Sequence, residues 1–253
     1  MTNIILSIIA IYISIGIYLY IRQRAYLYFP TKPVSHTHKT MQITNNGEVI
    51  NIVVVNPNRR KALLYFGGNA EVVADGAEVF ESKLEDYTTY LIEYRGYGES
   101  SGSPTQSGIV SDGVEIYDLI SPNHEEISLF GRSIGTGVAM QVANKRDVVK
   151  IALITPYDSI TALAQERYPI YPMEWLLKDK YDSLSIAPSI KADTIILIAS
   201  DDTVVPKQHA YRLSSAFDSD YLSVVEIADT THANIADTKQ YTELLDEFFH
   251  KGD

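Results

Sequence analysis

Short apolar runs recur along most of the chain, and mixed stretches of helix length separate them. Several runs are nearly continuous in Val, Ile and Leu, which is typical of strands that are covered on both faces of a sheet. The predicted strands are 50–55, 62–66, 88–93, 127–130, 149–154, 194–199 and 221–227. The predicted helices include 70–83, 104–120, 134–146, 207–217 and 236–250.

Strands that alternate with helices predict an α/β fold, a mostly parallel central sheet with helices on both faces. The chain has 253 residues and is 45% apolar, enough for one sizeable core and too short for two comfortable domains. We therefore expect one globular domain over 26–253, with the more N-terminal residues forming a separate extension.

The first segment departs from this alternation. Residues 4–21 carry no charge and would rise about 27 Å as a helix, which nearly spans a bilayer core. A buried core helix is seldom apolar on all faces. A cleaved signal peptide is disfavoured because residues 1–3 lack Lys and Arg and no small-x-small site follows the run. Residues 1–25 are predicted to be a single-pass transmembrane anchor.

The charges that flank the anchor predict its orientation. Arg22 and Arg24 lie just after the apolar run, and only the terminal amine precedes it. Because positive charge favours the cytoplasmic side, the large domain is expected in the cytoplasm.

Composition argues against several kinds of partner and of chemical site. The net charge of −11 argues against nucleic acid as a partner, since binding a polyanion draws on clustered Lys and Arg. The chain has no cysteine, which excludes disulfides, a thiolate zinc site and a cysteine nucleophile. A neutral or apolar small molecule, or an acylated substrate, fits better. No metal or organic cofactor is implied, and the oligomeric state is not indicated.

The strongest chemical signal is Gly131-Arg132-Ser133-Ile134-Gly135, which follows a predicted strand and precedes a predicted helix. A Gly-x-Ser-x-Gly in this context is a nucleophile elbow, in which a strained turn exposes the serine. The flanking glycines avoid collisions with the neighbouring strand and helix. By itself the motif is also compatible with an ordinary glycine-rich turn.

A serine hydroxyl needs a general base, and a carboxylate must orient that base. Asp201 and Asp202 follow one predicted strand, and His232 follows the next. All three therefore lie just past the C-terminal ends of strands, which is where the active sites of open parallel sheets are found. His209 lies in a predicted helix and His250 near the terminus, which leaves His232 as the base. Spacing does not choose between the two aspartates, since either could instead cap the helix that begins near Pro206.

From about Tyr26 onward the chain resembles the α/β-hydrolase superfamily, particularly the branch of membrane-anchored depalmitoylases and serine-aminopeptidase-like hydrolases. The resembling pieces follow the family order over nearly the whole domain: Phe66-Gly67-Gly68-Asn69-Ala70, Tyr94-Arg95-Gly96-Tyr97-Gly98-Glu99-Ser100, the elbow, Tyr168-Pro169, Trp175-Leu176-Leu177, Asp202-Thr203-Val204-Val205-Pro206 and His232-Ala233-Asn234. The acid of that branch precedes x-x-Val-Pro. The resemblance thus favours Asp202, with Asp201 as the alternative.

The resemblance also implies an oxyanion hole made by the backbone N–H groups of Asn69 and Ile134. Relatives usually have His-Gly before the first of these positions, whereas this chain has Gly67-Gly68. In addition, Thr231 precedes His232 where glycine is common.

The segment of about 156–192 lies where this fold often inserts a lid. Its aromatic residues serve either as local core or as substrate contacts. The candidates for substrate binding are Tyr157, Tyr168 and Trp175.

Together these features predict a serine hydrolase that cleaves an ester or thioester, which the anchor suggests is acylated or lipid-derived, through an acyl-enzyme. Ser133 attacks, His232 moves the proton and Asp202 stabilises the imidazolium. A peptidase or amidase that uses the same triad is one alternative. The other is a catalytically silent, membrane-tethered interaction module, since a fold does not assign a function.

Overall fold

The computed structural model describes residues 1–250, so the last three residues of the predicted domain, 251–253, lie outside the described part. Eight strands form one sheet. They are β1 (Lys39–Asn45), β2 (Glu48–Val55), β3 (Lys61–Phe66), β4 (Tyr87–Ile92), β5 (Glu126–Arg132), β6 (Lys150–Ile154), β7 (Asp193–Ala199) and β8 (Leu222–Ile227).

The strand order is β1-β2-β4-β3-β5-β6-β7-β8. β1 and β2 form an antiparallel hairpin, and β2 pairs antiparallel with β4. From β4 to β8 all neighbours are parallel. The expected mostly parallel sheet is confirmed, and its parallel part brings the ends of β3, β5, β7 and β8 to one edge.

Eight α-helices accompany the sheet. They are α1 (Thr2–Leu27), α2 (Ala77–Lys83), α3 (Gln106–Ile120), α4 (Ile134–Ala143), α5 (Ile160–Arg167), α6 (Met173–Leu176), α7 (Lys207–Ser214) and α8 (Lys239–His250). Alternate side chains of each central strand enter different cores. In β3, Leu64 packs with residues of α3, α4 and α7, whereas Leu63 packs with residues of α2 and α8. Helices thus cover both faces, because strand side chains alternate between them.

Three elements were not predicted from the apolar runs. β1 is an edge strand with a single buried residue, Ile43, so it lacks a continuous apolar run. Its hairpin turn, Asn46-Gly47, has positive φ at both residues, 51° and 82°, as a type I′ turn requires. The short helices α5 and α6 lie inside the lid-like segment 156–192, which is called the cap below.

α1 begins at Thr2 and continues to Leu27, two residues beyond the predicted anchor boundary. None of its residues is buried. α1 is long enough and apolar enough to cross a membrane.

Candidate active site

Ser133 occupies the sharp turn between β5 and α4. Its backbone has φ 51° and ψ −119°, a strained conformation for a residue with a side chain. Its N–H donates to the Ile154 carbonyl at 2.9 Å, which anchors the turn to the neighbouring strand β6. The predicted strand, elbow and helix are therefore present in that order.

The two glycines of the elbow are required by close backbone approach. A Cβ at Gly131 would lie 2.6 Å from the Gly135 carbonyl oxygen. A Cβ at Gly135 would lie 1.9 Å from the Phe66 carbonyl oxygen at the end of β3. Neither position can hold a larger residue unless the backbone moves.

His232 lies in the loop after β8 and joins Ser133 to Asp202. Its Nε2 is 2.9 Å from Ser133 Oγ, and its Nδ1 is 2.7 Å from Asp202 Oδ2. A carboxylate only accepts hydrogen bonds, so Nδ1–H donates to Asp202 and Nε2 is free to accept from the serine hydroxyl. The side chain of His232 is 17% exposed and that of Asp202 is 2% exposed.

The structure brings Asp202, and not Asp201, to the histidine. Asp202 Oδ1 accepts the N–H groups of Val204 at 2.9 Å and Val205 at 2.8 Å, which leaves Oδ2 for His232. Asp201 is exposed, and its carboxylate accepts from Ser200 Oγ at 3.1 Å. The two aspartates differ because successive residues after a strand point in different directions.

The backbone N–H groups of Asn69 and Ile134 are available at this site. Within residues 1–250, neither donates a hydrogen bond to another group of the chain. Ile134 opens α4, where N–H groups lack partners inside the helix. Gly68 lies against the elbow, since a Cβ there would be 3.8 Å from Ser133 Cβ.

Glu71 braces the loop that contains Asn69. Its Oε2 accepts the Gly68 N–H at 2.7 Å, and its Oε1 accepts from the Tyr65 hydroxyl. Arg132 of the elbow lies 3.4 Å from the same Oε2. This carboxylate links the loop to both β3 and the elbow, and thus supports the loop in which Gly67-Gly68 replaces His-Gly.

Tyrosine hydroxyls hold the other side of this loop. Tyr94 donates to the Gly67 carbonyl at 2.8 Å, and burial raises the pKa of Tyr94 well above its usual value. Tyr97 donates to Asn69 Oδ1 at 2.8 Å, and burial raises its pKa to about 12. Both hydroxyls therefore keep their protons at neutral pH. The Asn69 amide also donates to the Leu27 carbonyl at the end of α1, at 2.7 Å.

Comparison with solved structures identifies the architecture. The chain superposes on the Pyrococcus furiosus esterase Pf2001 with a TM-score of 0.70 over 88% of this chain and 98% of that one, at 17% identity. A protein of Acanthamoeba polyphaga mimivirus, provisionally named an alpha/beta hydrolase, is 27% identical over 240 residues, 87% of this chain and 88% of that protein. The chain has the α/β-hydrolase fold.

Other relatives match over a shorter part of the chain. The lysophosphatidylserine lipase ABHD12 of Macaca fascicularis is 29% identical over 176 residues, 60% of this chain and 44% of that protein. The chain spans about half the length of most of the first curated relatives it matches. No protein-family model matches the chain.

The three aromatic residues predicted to contact substrate have different environments in the structure. Tyr157 is buried, and its hydroxyl donates to the Ile134 carbonyl at 3.1 Å, so it supports the start of α4. Tyr168 lines a groove between the cap and α1. Trp175 is 84% exposed and does not line that groove.

Glu71, Tyr94 and Arg132 were not predicted to support the site. Each belongs to or directly follows a segment that carries the family resemblance, but no local pattern indicates that Glu71 braces the loop of Gly67 and Gly68. As for metals, no group of three or more His, Asp or Glu among residues 1–250 is arranged to hold an ion. The expectation that the protein needs no cofactor stays a prediction.

Proposed function

We propose that this α/β-hydrolase is a serine hydrolase that cleaves an ester or thioester through an acyl-enzyme intermediate. The observation that carries the proposal is the continuous hydrogen-bonded series from Ser133 Oγ through His232 to Asp202, at 2.9 and 2.7 Å. A serine that only packs in a turn needs neither a free imidazole nitrogen nor a buried carboxylate behind it.

The chemistry follows from these positions. His232 Nε2 takes the proton of Ser133 as Oγ attacks the substrate carbonyl, and Asp202 stabilises the imidazolium. The N–H groups of Asn69 and Ile134 stabilise the oxyanion, each worth roughly 3 kcal/mol in comparable sites. His232 then protonates the leaving group, and a water activated by His232 hydrolyses the acyl-enzyme.

Two features support an acylated or lipid-derived substrate. Most of the apolar stretch of α1 is exposed, as that of a single-pass anchor would be. Partial similarity to the lysophosphatidylserine lipase ABHD12 also supports a lipid-derived substrate. The positive charges of Arg22 and Arg24 after the apolar stretch support a cytoplasmic position for the catalytic domain.

The test is labelling of the detergent-solubilised chain with a fluorophosphonate probe, which modifies activated serines. We expect wild type to be labelled, Ser133→Ala to be unlabelled, and His232→Ala and Asp202→Asn to be strongly reduced. Asp201→Asn is the matched control for Asp202→Asn and should label like wild type, because Asp201 does not contact His232.

A folded wild-type chain that takes up no label would contradict the proposal and favour the silent interaction module. If labelling succeeds, a screen of acyl esters, thioesters and peptides distinguishes ester or thioester hydrolysis from peptide hydrolysis. Strong loss in Asp201→Asn with none in Asp202→Asn would reverse the choice of acid.

A further inference from the structure

A groove of about 340 Å³ lies between α1 and the cap helices α5 and α6. We name it the α1–cap groove. Most of its wall is apolar and includes Leu19 and Tyr26 of α1, Leu163 and Ala164 of α5, and Leu176 of α6. Its volume is in the range of about 300–1,000 Å³ that small-molecule sites occupy.

Specific polar contacts hold the two walls of the groove together. Gln23 of α1 donates to the Leu176 carbonyl at 3.0 Å and accepts the Lys178 N–H at 2.6 Å. Arg24 pairs with Asp179 through Nε and Oδ2 at 2.7 Å. The side chain of Asp179 is 4% exposed. α1 is therefore docked on the cap, and the groove is a built feature of the fold.

The cap also contacts α1 within its apolar stretch. The rings of Tyr12 and Tyr171 stack at 4.7 Å, and the Tyr12 hydroxyl donates to the Ile170 carbonyl at 2.7 Å. Gly16 allows this approach, since a Cβ there would be 3.3 Å from the Tyr171 ring. Tyr12 precedes Ile21, the last residue of the apolar stretch, by about 14 Å of helix. If α1 crosses a bilayer, this part of the cap lies beside its hydrocarbon-embedded half.

The outer surface of the cap suits that position. Ile170 is 69% exposed and Trp175 is 84% exposed, and Tyr168 between the groove and this surface is 37% exposed. Large apolar side chains that protrude next to an exposed apolar helix are typical of a lipid-facing surface.

The inner end of the groove lies next to the loop that contains Asn69. The Leu27 carbonyl, at the α1 end of the groove, accepts from the side-chain amide of Asn69 at 2.7 Å. This hydrogen bond joins the wall of the groove to Asn69, whose backbone N–H is one of the two proposed oxyanion donors.

We propose that the α1–cap groove binds the long acyl chain of a membrane lipid and opens into the bilayer, so that the substrate enters from the membrane. The inference rests on the proposed hydrolase activity and specifies its substrate class. α1 is then one wall of the substrate site as well as an anchor.

The first test fills the groove with Ala164→Phe and measures kcat/KM on butanoyl and hexadecanoyl esters of one alcohol. Each buried CH₂ contributes about fourfold to binding, about 0.8 kcal/mol, so losing space for several groups should cost at least about tenfold on the hexadecanoyl ester. The loss on the butanoyl ester should be much smaller, because its short chain does not fill the groove. Leu119→Phe is the matched control, because Leu119 is an exposed residue of α3 distant in sequence from the groove.

Equal effects of Ala164→Phe on both esters would overturn the proposal. A second measurement does not depend on that variant folding well. Ser133→Ala protein in lipid nanodiscs is irradiated with a hexadecanoyl probe that carries a terminal diazirine, and cross-links are mapped. Cross-links within 19–27 and 160–177 are expected, and cross-links elsewhere only would overturn it. If wild type lacks fluorophosphonate labelling, the hydrolase proposal fails, but this mapping still tests lipid binding in the groove.

The membrane position of the cap is tested through Trp175, the single tryptophan of the chain. In nanodiscs, lipids brominated on their acyl chains should quench its fluorescence. A variant with Trp175→Phe and Leu119→Trp moves the tryptophan to α3 and should not be quenched. Equal quenching of the two proteins, or quenching of neither, would overturn the bilayer-facing opening.

Discussion

The single carboxylate of Glu71 contacts three parts of the site: the loop after β3, the strand β3 and the elbow. It accepts from the Gly68 N–H and the Tyr65 hydroxyl and lies 3.4 Å from Arg132. These contacts fix the loop that carries Asn69, the residue expected to supply one oxyanion donor. At the residue scale we expect Glu71 to act as a positioning residue for that donor.

Glu71→Ala should therefore lower kcat by roughly tenfold to a hundredfold on a short-chain ester with little change in KM, because the oxyanion donor loses its alignment. Glu71→Gln should recover part of the loss, since its amide oxygen still accepts from Gly68. Glu78→Ala, at an exposed position of α2, serves as the control. A rise in KM at constant kcat would contradict this role.

The elbow glycines differ from other glycines of the chain in the space around them. We expect Gly135→Ala to destabilise the fold by more than about 3 kcal/mol, because its Cβ would overlap the Phe66 carbonyl. At Gly76 a Cβ would make an ordinary 3.8 Å contact with Phe80. Gly76→Ala should be neutral or stabilise by up to about 1 kcal/mol. Thermal unfolding followed by circular dichroism compares the two, and equal melting temperatures would contradict the steric argument.

A second set of charges connects elements next to the site. Asp158, in the loop after β6, lies 2.7 Å from His209 Nδ1 and 2.7 Å from Arg212 Nε, both on α7. Arg212 also pairs with Glu166 of α5 at 3.1 Å. At the element scale, this cluster holds the cap helix α5 and α7 to the sheet.

Burial disfavours the charged form of Asp158, but hydrogen bonds from His209 and Arg212 outweigh it, so the pKa of Asp158 lies below its ordinary value. The stabilisation is therefore present above the pKa of the unfolded state, about 3.9, and is lost as the pH falls through the lower folded value. Asp158→Asn should cost roughly 2 kcal/mol at pH 7, and its difference from wild type should shrink below about pH 4.

Melting temperatures across pH 3–8 measure this effect. Asp218→Asn is the control, because Asp218 pairs with Lys191 at the surface, where such pairs contribute about 0–1 kcal/mol. A difference between Asp158→Asn and wild type that grows toward low pH would contradict the prediction.

At the scale of the whole molecule, α1 and the domain form one connected structure. The helix contacts the cap from Tyr12 to Arg24, and its Leu27 carbonyl accepts a hydrogen bond from Asn69. If α1 is the anchor, these contacts fix how the domain sits relative to the membrane.

The absence of cysteine permits a direct test of topology. Thr2→Cys should react with a membrane-impermeant maleimide in intact cells, whereas Leu119→Cys should react only after lysis. This result is expected because the positive charges of Arg22 and Arg24 favour the cytoplasmic side of the membrane. The reverse pattern would place the domain on the outer side, and labelling of both in intact cells would contradict a single-pass anchor.

Local sequence determined much of this protein. The strand, elbow and helix around Ser133 are contiguous, and the apolar runs identify every strand from β2 to β8. The signal is strongest for β3 to β7, because strands covered on both faces are continuously apolar. The half-exposed edge strand β1 lacks that signal, and so do the short helices of the cap. The candidates Ser133 and His232 follow from residue type and position after strands.

Tertiary structure decided what depends on distant residues. Ser133 and His232 are 99 residues apart, and only the fold shows that Asp202, rather than Asp201, points at the imidazole. It also shows that Glu71 braces the Gly67-Gly68 loop and that α1 forms one wall of a groove with the cap. No local pattern contains such contacts, because they depend on how the sheet brings separate loops to one edge.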